Sequence, residues 1–70
     1  MNYKLVAVVH GVEKALELTM ITFDRSSDEE AKKESFSFIA SDNRGLLKFR
    51  LLRSIDESLI CSYDQWAQEI

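Results

Sequence analysis

Ser27 is followed three residues later by Glu30, with Asp28 and Glu29 between them, and no other local signal restricts the fold of this chain as strongly. A serine at that spacing accepts an early helical amide while the glutamate reaches back to the cap, and first-turn acids meet the positive end of the helix dipole. Ala31, Ser35, Phe38, Ile39 and Asp42 then recur at helical spacing, with Phe38 and Ile39 on the inward stripe. Glu29 and Lys33 form a favourably oriented i,i+4 pair. Asn43-Arg44-Gly45 supplies a stop, Gly45 suiting a left-handed cap.

The flanking segments read as strands. Residues 3–12 are short and β-branched, which suits a strand covered on both faces. In residues 15–24, Leu16, Leu18 and Met20 fall on one face, Glu17 and Thr19 on the other, and Ile21 and Phe23 continue that second face. Glu13-Lys14 links the two as an antiparallel hairpin, with Gly11 marking a bulge. Residues 46–53 form a third strand with Leu47, Phe49 and Leu51 inward, and Leu46, Lys48, Arg50 and Leu52 outward. Asp56-Glu57-Ser58 is a turn, residues 59–63 a last strand, and the remainder a short helical or irregular tail. A helix is the rival over 54–70, since Ser54-x-x-Glu57 is a second capping box and Leu59, Tyr63, Trp66 and Ile70 sit at helical spacing. The expected architecture is α+β: one domain over residues 1–70, in the order ββαββ, with a four-stranded antiparallel sheet and a helix on one face. A rival reading exists. Ser35-Phe36-Ser37-Phe38 also alternates with a period of two, and with a turn at 42–45 the domain becomes an all-β five-stranded meander.

Length sharpens the problem. A domain of 70 residues buries only about 60% of the surface its unfolded chain exposes. Its core alone supplies about 3–5 kcal/mol, so domains of this size usually carry a staple. Cys61 is the only cysteine, which rules out an intrachain disulfide and a cysteine-based zinc site and fits a reducing cytosol. Association is the remaining route, and a hydrophobic content of 46% supports it. A homo-oligomer, or a complex with another protein covering the open sheet face, is therefore expected.

The sequence excludes more than it identifies. The opening residues lack the leucine-rich core of a signal peptide, and no apolar run approaches the ~20 residues of a membrane span. A cytoplasmic protein is expected, in the host cytoplasm if the chain is viral. His10 and Cys61 have no companions at catalytic or metal-ligand spacing, and two glycines cannot build a phosphate-cradling loop. Neither catalysis nor a cofactor is expected.

Charge distribution provides the single constellation above background. Arg44, Lys48, Arg50 and Arg53 stand together without a carboxylate, whereas residues 54–70 carry Asp56, Glu57, Asp64 and Glu69 without a cation. One use of the basic run is a solvated strand face paired with the acidic tail. The other is a contact patch for an acidic protein surface, with Tyr3, Tyr63 and Trp66 as aromatic anchors. The preferred function is a non-enzymatic protein-binding module, a regulator or inhibitor of the kind by which phages and mobile elements block host enzymes or defence complexes. Nucleic-acid binding through residues 44–53 is an alternative, weakened by a net charge of −3. An oligomeric ligand-binding or enzyme subunit with a pocket at its interface is the third.

Overall fold

Ser27 adopts extended backbone (φ −149°, ψ 161°) and its Oγ accepts the Glu30 N–H at 3.3 Å, so the helix starts where the capping residues direct it. The Glu30 carboxylate closes the box one residue early: Ser26 Oγ donates to it at 2.6 Å. The computed structural model describes residues 1–11, 13–42 and 45–70. Among them are strands β1 (Asn2–His10) and β2 (Ala15–Asp24), helix α1 (Asp28–Ser41), and strands β3 (Lys48–Arg53) and β4 (Leu59–Asp64). The ββαββ order is as expected. Residues 35–41 are helical, which rules out the five-stranded meander. Asp42 caps the helix, its N–H reaching Ile39 O at 3.1 Å. Gly45 has the anticipated left-handed backbone (φ 77°) but lies beyond that cap, and Asn43 and Arg44 lie outside the described residues.

The strands form one antiparallel sheet in the order β2-β1-β3-β4. Helix α1 packs on one side, where its Ala31 and Ile39 join Tyr3, Leu5, Ala7, Phe49, Leu51, Cys61 and Tyr63 in the core. Ser35 is buried with them. Phe38 is only partly buried against this cluster, and Phe36 is half exposed.

Two expectations about strand faces need correction. The bulge lies in β2 at Met20, since Leu5 pairs with Ile21 and Val6 with Thr19. One extra residue resets the period of two, so Leu16, Leu18, Ile21 and Phe23 all share the helix side. Gly11 instead serves the hairpin turn. Its N–H donates to Lys14 O at 2.9 Å, and a Cβ there would stand 2.8 Å from that oxygen. Second, β3 pairing starts at Lys48, so Leu46 rather than Leu47 packs against the core, and Leu47 is exposed.

The two outer strands finish differently. A second register shift lets Leu52 pair with Leu59 and Leu51 with Cys61. Beyond β4, Asp64 Oδ1 accepts the N–H groups of Trp66 (2.9 Å) and Gln68 (3.1 Å), turning the chain back. Ala67, at φ 59°, completes that turn. Ile70 N–H then donates to Ser62 O at 2.9 Å, Asp64 N–H donates to Gln68 O at 3.1 Å, and Glu69 bridges to Tyr63. The tail is irregular and seals the outer edge of β4.

Candidate functional site

The side of the sheet opposite α1 carries Lys4, Val6 and Val8 from β1, Lys48, Arg50 and Leu52 from β3, Glu17 from β2 and Leu59 from β4. No helix among the described residues lies there, yet Val6 is 1% exposed and Leu52 5%. Long charged side chains supply the cover. Arg50 pairs with Val6 on β1, and Glu17 pairs with Val8 from the opposite neighbour. Arg50 Nη1 meets Glu17 Oε1 at 2.9 Å, so this ion pair straps over β1. Lys4, opposite Leu52, likewise bonds Glu57 in the β3–β4 turn. Exposed ion pairs contribute only about 0–1 kcal/mol. Burying a valine or leucine contributes about 1.5–3 kcal/mol, so the aliphatic stems lying over these side chains matter more than the charges at their tips.

Where the straps leave a gap, Glu17, Arg50, Leu52, Glu57 and Leu59 line a shallow depression of about 300 Å³. Its apolar floor has charges of both signs at the rim. Leu59 is 55% exposed beside it. Lys48 is exposed nearby, opposite Asp64, and makes no ion pair among the described residues.

The other residues expected in one basic patch are distributed elsewhere. Arg53 pairs with Tyr3 on the helix side, where its Nη2 meets Asp28 Oδ2 at 2.7 Å. The Tyr3 hydroxyl donates to Asp28 Oδ1 at 2.7 Å, joining the first residue of α1 to β1 and β3. That hydrogen bond, then the one from Arg53, holds the Asp28 carboxyl below the usual range, and the Asp28 contact pushes the Tyr3 phenol up. Arg53 is therefore a structural tie, and Tyr3 is wholly buried rather than an interface anchor. Tyr63 is also core, its hydroxyl donating to Lys32 O at 3.4 Å. Trp66 is well exposed, but it lies on the helix side, where Ile39, Leu46 and Phe49 line a depression with it. Arg44 lies outside the described residues.

Lys4, Glu17, Glu57 and Leu59 were not anticipated at this site. The alternation of Lys4 with Val6 and of Arg50 with Leu52 was a signal that the second face is partly apolar. The pairing of residues 17 and 50 depends on the strand order. Burial raises the Cys61 thiol, which makes it a poor nucleophile, and His10 is exposed at the end of β1. Among the described residues no three His, Cys, Asp or Glu side chains stand together as metal ligands, and no helix is long and apolar enough to cross a membrane. Compared with known protein families, with curated proteins and with solved structures, the chain matches none.

Proposed function

We propose that this chain is a protein-binding module acting as a regulator or inhibitor, and that it occupies a partner with the sheet face opposite α1. The observation that supports this is the Leu52–Leu59 floor with Arg50, Glu17 and Glu57 at its rim. An apolar centre within a polar rim is the usual anatomy of a protein contact. Lys48, free of an ion pair among the described residues, meets an acidic group of the partner directly. Arg50 exchanges Glu17 for a partner carboxylate at little net electrostatic cost, because its present pair is solvent-exposed. Both signs at the rim, with Arg53 on the opposite side, favour a protein over a phosphate backbone. The setting we propose is the cytoplasm, where Cys61 stays reduced.

The test uses wild-type chain and Lys48→Glu as baits in extracts of the source cell, with thermal melts of both. The expected result is a specific protein whose recovery falls at least tenfold with Lys48→Glu at unchanged melting temperature. Equal recovery of the same proteins by both baits contradicts the reading. Salt-sensitive binding of the wild type to duplex DNA or RNA would replace it with the nucleic-acid alternative.

A further inference from the structure

The sheet has one sealed edge and one open edge. At β4 the chain's own residues 68–70 take up outer backbone groups of Ser62 and Asp64. At β2 no strand among the described residues lies outside the edge, and every residue from Ala15 to Thr19 is exposed. Exposed edges are commonly protected by shortness, by lysine or by proline. β2 is 10 residues long and has neither lysine nor proline. Its bulge at Met20 interrupts only the second half, leaving Ala15–Thr19 in regular register with β1. On the helix side of that half, Leu16 and Leu18 stand 48% and 49% exposed, although they belong to the apolar side of the sheet.

We infer that β2 pairs antiparallel with β2 of a second copy of this chain, joining two four-stranded sheets into one of eight strands. Charge supports a second copy as the occupant. Glu17 is the sole charged residue between Ala15 and Phe23, and its carboxylate is drawn inward across β1 to Arg50. A strand so neutralised meets its own copy without like-charge repulsion. A register centred on Leu18 sets Leu18 against Leu18 of the second copy, Leu16 against Met20, and Glu17 against Thr19. Leucines exposed in the single chain then cover one another. Because the tail closes β4, each chain offers one edge, and two-fold pairing ends at a dimer rather than a fibre. The face opposite α1 stays accessible, so this inference stands apart from the proposed function.

Sedimentation across micromolar concentrations, with circular dichroism on the same samples, tests it. The wild type is expected to sediment as a dimer. Leu18→Lys, and independently Leu16→Lys, should weaken dimerisation more than tenfold while keeping the wild-type spectrum. Ile55→Lys, which alters a still more exposed apolar residue in the β3–β4 turn, should leave the dimer intact. A folded wild-type monomer throughout, a dimer unaffected by both β2 substitutions, or open-ended polymers would each overturn the inference. Lys48→Glu should leave the dimer unchanged, so loss of partner binding and loss of pairing can be told apart.

Discussion

Leu5 and Val6 are neighbours on one strand and equally hidden, at 0% and 1% exposure, yet they are hidden by different means. Leu5 faces α1 and is packed by the core. Val6 faces the other way, beneath the Arg50–Glu17 strap. The first kind of cover is close-packed and is lost only with the fold. The second consists of flexible stems held by a solvent-exposed pair, and a partner can rearrange it without unfolding anything. Near-complete burial is therefore compatible with a binding face when the cover is made of long side chains.

Breaking the packed side should have the largest effect. Leu5→Ala is expected to cost about 2–5 kcal/mol in chemical denaturation, the range for a cavity in a packed core. A cost near zero would mean that the helix side is as yielding as the other.

An intermediate effect is expected in acid. Hydrogen bonds from Tyr3 and Arg53 hold the Asp28 carboxyl low, and the Ser26 and Ser58 contacts do the same for Glu30 and Asp56. The unfolded chain takes up these protons near pH ~4, before the folded chain does. Unfolded molecules thus bind more protons in that window, and stability falls as pH drops through the folded values. Asp28→Asn should lower stability at neutral pH and flatten the acid limb of a melting-temperature profile. An unchanged limb would remove Asp28 as the helix-side tie.

A smaller effect separates cover from charge on the open side. Arg50→Ala should cost about 1 kcal/mol by uncovering Val6, whereas Arg50→Met, which keeps the stem, should be nearly neutral. Equal losses in both would assign the stabilisation to the ion pair instead.

The smallest effect has the opposite sign. Ser35 is buried on the sheet-facing side of α1, and its hydroxyl has no hydrogen-bond partner among the described residues. Ser35→Ala should raise stability by about 1 kcal/mol, because a desolvated, unpaired hydroxyl is removed and alanine is the better helix former. A loss of stability would show that the hydroxyl is satisfied in solution.

The element order was legible because its signals are local: a capping box at Ser27, and period-two runs on either side. Strand faces were legible only as far as the period held. In β2, apolar residues occur on both parities, so nothing in the sequence distinguishes Met20 as the inserted residue until β1 supplies its register. The grouping of Lys48 with Arg50 followed from their spacing of two. By the same rule Arg53, three residues from Arg50, belongs on the opposite side, although charge alone groups it with them. The Arg50–Glu17 strap joins residues 33 apart in sequence, across a strand that pairs with both neighbours, and only the fold brings them together.

The bulge at Met20 bears on which genetic changes the chain can absorb. Removing Met20 would leave composition, charge and strand propensity almost untouched. It would restore an unbroken alternation in β2 with Leu16, Leu18, Ile21 and Phe23 still together on the α1 side, because Thr19 and Ile21 already pair with the adjacent Val6 and Leu5. Most substitutions among the exposed residues of this strand alter one contact, whereas a single-codon deletion away from the bulge inverts the residues between it and Met20. Along Ala15–Asp24 the chain should therefore vary readily in identity, and in length only at the bulge.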